Sequence, residues 1–189
     1  MIRIGLVGDI GSGKSYIANN FGYPVFNADL EVGKLYKKNR KIFIKLNKVL
    51  PKYFNSFPVD KKDVLKAILA NETNLKKIIK IIHQEIRKKL FLFLKKNKNK
   101  KILILDVPLL LENKLYKKND ILVFIQSKKF DILRRLKKRK NYNRKLLTRF
   151  KKIQLPLDYK KNKSQFIIKN NFTKKSVRLG IQDILKKII

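Results

Sequence analysis

The chain reads as an α/β protein, a mainly parallel sheet of five strands covered by helices. Three observations predict this. Short apolar runs alternate with segments of helical period, the pattern of strand–helix–strand units. The first apolar run opens directly into a glycine-rich stretch, Gly8-Asp-Ile-Gly-Ser-Gly-Lys-Ser15. That loop, Asp29 and residues 106–108 all fall at the carboxyl ends of predicted strands, where sheets of this class bind their ligands.

Residues 2–7 form a short apolar run and predict a buried strand, and 14–21 predict a helix stopped near Gly22. Residues 24–27 predict a second short strand, with Asp29 directly after it. From 35 to 101 the pattern is helical, broken at Pro51 and Pro58. Its clearest helix is 75–94, where Leu75, Ile78, Ile79, Ile82, Ile86, Leu90 and Phe93 recur as one apolar stripe. Residues 95–101 predict a charged loop. Strands follow at 102–107 and 121–125. Two basic helices, 130–139 and 144–153, meet at a turn over 141–143. A fifth strand at 165–168 and a closing helix at 176–189 complete the chain.

Composition narrows the chemistry. The 189 residues include no cysteine, which excludes a disulfide scaffold, a thiol nucleophile and a cysteine-based metal site. A single histidine, His83, argues against a histidine-rich metal site. No apolar run reaches the roughly 18 residues of a membrane span, and the quick break at Gly8 does not resemble a signal peptide. A cytoplasmic protein without membrane association is expected.

The formal net charge is +36, and it suggests phosphate-bearing partners. The cations are 40 lysines and only 9 arginines, however, and base-reading proteins lean on arginine. A biased genome composition accounts for most of the charge. Its distribution says more: residues 1–36 are balanced, whereas 128–163 hold sixteen basic and two acidic groups. No RNA-binding motif is present, so no specific nucleic-acid partner is expected.

The stretch Gly8–Ser15 matches G-x-x-x-x-G-K-[ST] between a strand and a helix, the context a phosphate loop requires. Gly8, Gly11 and Gly13 allow backbone amides to turn inward, and the helix brings its positive end to the phosphates. Lys14 would reach the β- and γ-phosphates, and the Ser15 hydroxyl would sit on Mg²⁺. Asp9, inside the loop, is expected to face solvent. Asp29 is placed to act as a general base or to cap the next helix. Asp106 is placed to help hold Mg²⁺ or to open a turn. Glu112 is expected to bond locally, and His83 to be a partly buried structural residue. Arg135 and Arg139, four apart, would share one helical face, with Arg144 and Arg149 on the next helix. Arginines there can stabilise a phosphoryl group in flight from a mobile lid.

Together these segments resemble the dephospho-CoA kinase family. The resemblance runs through the opening loop, the turn Phe26-Asn-Ala-Asp29 and the pair Ile82-His83. It continues through Asp106-Val-Pro-Leu-Leu-Leu-Glu112 and the spacing of Arg135, Arg139, Arg144, Arg149 and Gln154, to Lys160 and Asn170. It implies a phosphate-loop kinase core at about 1–34, 101–127 and 164–189, a helical CoA-binding insertion at about 35–100, and a small helical lid at about 128–163. The implied reaction moves the γ-phosphoryl of ATP to the ribose 3′-hydroxyl of dephospho-CoA with Mg²⁺, the last step of coenzyme A synthesis. Asp29 would then be the base. Gly8, Gly11, Ser12, Gly13, Lys14, Ser15, Tyr16, Arg135, Arg139 and Asn170 would hold ATP, with Arg139 and Lys14 also catalytic. Asp29, His83, Asp106, Pro108 and Leu109 would meet dephospho-CoA, and Ser15 and Asp106 the metal. The chain departs from the family pattern at Asp9, Tyr16, Asn27, Gln84 and Ser164-Gln165. The alternatives are a kinase for nucleoside monophosphates or a small alcohol, and a basic nucleic-acid-binding module.

Overall fold

A computed structural model describes residues 1–140 and 142–189, so Asn141 of the expected 141–143 turn lies outside the described residues. The chain forms two compact units. One comprises 1–27, 97–143 and 153–189; the other comprises 28–96 and 144–152.

The first unit is built on a parallel five-stranded sheet. Its strands are β1 (Ile2–Gly8), β2 (Val25–Asn27), β3 (Ile102–Asp106), β4 (Ile121–Gln126) and β5 (Phe166–Lys169), in the order β2-β3-β1-β4-β5. The runs lack polar alternation because the central strands are covered on both faces: all five residues of β3 and the interior of β4 are buried. Helix α1 (Lys14–Asn20) and a C-terminal helix spanning Lys174–Ile188 cover one face. There Ile17, Ala18 and Phe21 join Val177, Ile181 and Ile184 over Ile4, Leu6, Ile104, Val123 and Ile168.

The second unit is helical. It contains α2 (Ala28–Lys38), α3 (Arg40–Val49), α4 (Lys61–Ala70), α5 (Glu72–Lys96) and, later in the chain, a basic helix spanning Arg144–Lys152. Helix α5 is the spine against which α2, α3 and α4 pack. It buries Leu75, Ile78, Ile82, Ile86 and Leu90 of the stripe read from the sequence, while Ile79 and Phe93 are partly exposed. Asn39 and Asp60 cap α3 and α4 by accepting from the amides of Ile42 and Lys62. The basic helix packs on α4, and its Lys152 pairs with Glu72.

The order of the remaining elements gives α6 (Lys129–Lys137), α7 (the Arg144–Lys152 helix), α8 (Leu157–Asn162) and α9 (the Lys174–Ile188 helix). Several boundaries differ from expectation for identifiable reasons. Helix α5 takes in Lys95 and Lys96, because cations are favourable in a last turn and nothing there breaks a helix. Helix α9 starts before Ser176 because Thr173 caps it, its hydroxyl accepting from the Ser176 amide. Helix α8 was not expected; its six residues are too few to show a period, and only Pro156 ahead of it and Asp158 in its first turn mark it. Helix α6 ends at Lys137, and the Arg139 amide closes onto the Leu136 carbonyl three residues back. Arg135 and Arg139 therefore do not share a helical face.

A buried ion pair ties β1 to the start of β4. The Arg3 guanidinium donates to the Asp120 carboxylate at 2.8 Å, with both side chains buried. Asp120 also accepts from the Lys117 amide. Burial pushes its carboxyl pKa up, against the Lys117 amide and the Arg3 charge. Asp120→Ala would strand the guanidinium inside the protein and should cost about 3–5 kcal/mol in urea unfolding. Replacing both partners with apolar residues, Arg3→Met with Asp120→Leu, should recover most of that loss. A single variant within about 0.5 kcal/mol of the parent would contradict this account.

Candidate active site

The glycine-rich loop leaves β1 and enters α1. Gly13 is the residue preceding α1, at φ 95, a left-handed conformation that a side chain would strain. A Cβ there would also lie 2.6 Å from the Asn170 amide nitrogen. Gly11 faces α6, where Leu136 and Ile132 seat against it. The Lys14 ammonium folds back over the loop and donates to the carbonyls of Gly8 and Asp9, at 3.2 and 2.7 Å. Ser12 is fully buried. Its carbonyl accepts from Ser127 and Asn170, while its hydroxyl has no partner among the described residues. Asp9 does not simply face solvent; it is half-buried, and its carboxylate accepts from the adjacent Ile10 amide. That bond holds its charge on the loop backbone.

Asp106 ends β3 beside this loop and is 4% exposed. One carboxylate oxygen accepts from the Asn27 amide at 2.8 Å, and the two residues are directly paired in the β2–β3 register. The Ser15 hydroxyl also donates to Asp106, and the Lys14 charge lies near. Burial pushes the Asp106 pKa up; Ser15 and Lys14 pull it down. Asn27 can donate to this carboxylate, which an ionised aspartate at that position could not do. A hydroxyl and a carboxylate already hydrogen-bonded to each other form a hard-oxygen pair of the kind that suits Mg²⁺, which needs only one or two protein ligands beside phosphates. After β3, Pro108 is exposed, and Leu109 stands at φ 57, an unusual conformation for a bulky residue.

Arg135 is exposed on α6, and its guanidinium lies 4.4 Å from the centre of the Phe172 ring. That ring borders Gly13, and the Phe172 amide donates to the Asn170 side chain. Arg139 is exposed beyond the end of α6, and Tyr16 is exposed on α1. Glu112 does not bond locally as expected. It accepts from the Leu155 amide at 3.0 Å and forms a buried pair with Lys160 at 2.8 Å, linking the loop after β3 to α8. Ser127 and Phe172 had no signature in the sequence; Glu112 and Lys160 belong to the family resemblance, but nothing in the sequence pairs them with each other.

The remaining expected residues lie in the helical unit. Asp29 is exposed in the first turn of α2, where a carboxylate is favourable; it is inside the helix, not its cap. Arg144 opens α7. Arg149, on the same helix, keeps one guanidinium nitrogen buried with no partner among the described residues. His83 is half-buried on α5, with its Nε2 likewise unpartnered. Burial, then the Arg87 charge, lowers its pKa below the ordinary imidazole value, so it is neutral at pH 7. As the single histidine, it gives one imidazole resonance in a proton NMR titration. The midpoint should fall below about 6.5. Because the folded state then holds fewer protons than the unfolded one, the stability His83 contributes is present above that pH and is lost as pH falls. A midpoint at or above 6.5 would contradict the burial account.

Comparison with known proteins places these features in one group. A family model described as CoaE, dephospho-CoA kinase, matches residues 2–175. A dephospho-CoA kinase of Wolbachia pipientis is 34% identical over 190 residues, covering 98% of this chain and 97% of the relative. Among solved structures, a Thermus thermophilus protein superposes with a TM-score of 0.79 at 21% identity, covering 100% of this chain and 98% of that one. The dephospho-CoA kinase from Campylobacter jejuni gives 0.64 at 21% identity, covering 98% and 96%. At that identity the two structures establish the fold, a phosphate-loop kinase sheet flanked by helices.

Proposed function

The chain belongs to the dephospho-CoA kinase family, and from that premise we propose how its residues divide the reaction. The protein is a transferase that phosphorylates dephospho-CoA at the expense of ATP in coenzyme A biosynthesis. In our reading the acceptor is the ribose 3′-hydroxyl. The observation that carries the assignment is the hydrogen-bonded set Ser15–Asp106–Asn27 beside Lys14, at the carboxyl ends of β1, β2 and β3. It offers an ammonium and backbone amides for a polyphosphate, and hard oxygens for the divalent cation that accompanies one.

Gly8, Gly11, Ser12, Gly13, Lys14, Ser15 and Tyr16 hold ATP, with Lys14 on the β- and γ-phosphates. Mg²⁺ would be held by the Ser15 hydroxyl and the Asp106 carboxylate, and when bound would neutralise charge on the same phosphates. Asp29 removes the proton of the acceptor hydroxyl. His83, Asp106, Pro108 and Leu109 orient dephospho-CoA. Arg135 and Arg139 answer the charge on the phosphoryl group as it transfers and help exclude water. The helical insertion at about 35–100 binds the CoA moiety, and 128–163 serve as the lid.

An acceptor panel with γ-labelled ATP tests the proposal. Label should pass to dephospho-CoA and protect its ribose 3′-position, with nucleoside monophosphates and small alcohols labelled far more slowly. Preferential labelling of a nucleotide would overturn it.

A further inference from the structure

We propose that Ser127 and Asn170 are positioning residues that act on the phosphates of ATP through the Ser12–Gly13 peptide, without touching the nucleotide themselves. The inference rests on the reading of Gly8–Ser15 as the ATP loop. Each residue is the first past its strand, Ser127 after β4 and Asn170 after β5. The two side chains converge on one atom. The Ser12 carbonyl accepts from the Ser127 hydroxyl at 3.1 Å and from the Asn170 amide at 2.8 Å.

The Ser12–Gly13 peptide is trans, as the described peptides are apart from one preceding proline. In a trans peptide the carbonyl and the following amide point in opposite directions. Two donors that hold the Ser12 carbonyl outward therefore turn the Gly13 amide to the other side, into the hollow of the loop. Left alone, that peptide would be free to rotate, because Gly13 at φ 95 pays no side-chain penalty in either hand. The clamp removes that freedom before ligand arrives, so the donor is oriented at no cost during binding.

Asn170 is suited to this work and poorly suited to a direct contact. It is 4% exposed, its amide nitrogen is given to Ser12, and its carbonyl oxygen accepts from the Phe172 amide at 2.9 Å. It is itself anchored, through its backbone amide, to the Gln126 carbonyl at 2.7 Å, one residue before Ser127. The clamp is thus part of the β4–β5 ladder, and its geometry follows the sheet.

The test separates positioning from contact by removing the nucleoside from the ligand. Binding of ATP and of inorganic tripolyphosphate is measured by calorimetry, without acceptor, for the parent, Ser127→Ala, Ser127→Thr and Asn170→Ala. Ser127→Ala should weaken both ligands alike, by about 3- to 10-fold, the loss of one hydrogen bond. Asn170→Ala should weaken both by at least about 10-fold. Ser127→Thr, which keeps the hydroxyl, should bind as the parent does. The KM for dephospho-CoA should stay at the parental value, and the thermal midpoint of Ser127→Ala should fall by no more than about 2–6 °C, the cost of one hydrogen bond. A loss for ATP but not tripolyphosphate in Asn170→Ala would mean direct contact with the nucleoside and overturn the proposal. Parental binding by Ser127→Ala would overturn it as well, and that variant decides the matter if Asn170→Ala does not fold. Failure of the parent to bind either ligand would instead remove the ATP-loop reading itself.

Discussion

Asp29→Asn should bind ATP within about threefold of the parent yet lose about 10²- to 10⁴-fold in kcat, the range expected when a general base is removed. The substitution keeps the size and shape of the side chain but replaces the carboxylate, which can take up a proton, with a neutral amide, which cannot. Asp29 is exposed in the first turn of α2. Its favourable interaction with the helix terminus is worth about 0.3–1 kcal/mol, and thermal unfolding of the variant separates any larger loss of stability from loss of turnover. Single-turnover transfer from γ-labelled ATP, with ATP binding measured separately, resolves the two quantities. Turnover near the parental rate would leave Asp29 as a helix residue only.

The sequence made the sheet and the loop legible, for a physical reason. Strands buried on both faces need uninterrupted apolar residues, so Ile102-Leu-Ile-Leu-Asp106 and Ile121-Leu-Val-Phe-Ile125 stand out between charged loops. A phosphate loop needs its glycines for backbone conformation, so its spacing survives any choice of surface. The stripe on α5 was visible because twenty-five residues repeat the period many times. What could not be read was pairing. Strand order follows from which edges meet, and nothing in a run of isoleucine and leucine names its neighbour. The same blindness hid the Ser127 and Asn170 bonds to Ser12, and the Glu112–Lys160 pair, each made between residues far apart in the chain. The end of α6 is illegible in the sequence because Lys-Lys-Arg-Lys contains no stop signal: a backbone bond from Arg139 to Leu136 closes that helix, and it depends on no particular residue type.

Lys14→Ala should damage the use of ATP itself, lowering kcat/KM for ATP by about 10²- to 10³-fold, as loss of one preorganised charge-stabilising donor does. The KM for dephospho-CoA should change little. In the structure the Lys14 ammonium lies on the Gly8 and Asp9 carbonyls and near the Asp106 carboxylate, within the loop it is asked to serve. Removing it leaves the loop with its amides and the Ser15 hydroxyl but without its cation, so triphosphate binding and charge stabilisation should fall together. Lys14→Arg should not rescue the rate, because a planar guanidinium cannot make the same compact, three-donor contact. The contrast with Asp29→Asn is the informative part. One variant should bind ATP and fail to transfer; the other should fail from the first encounter with ATP. Steady-state kinetics in each substrate, with direct ATP titration, distinguishes the two profiles. Unchanged kinetics in Lys14→Ala would show that the loop does not hold the phosphates, and the roles proposed for Ser15, Asp106, Ser127 and Asn170 would fall with it.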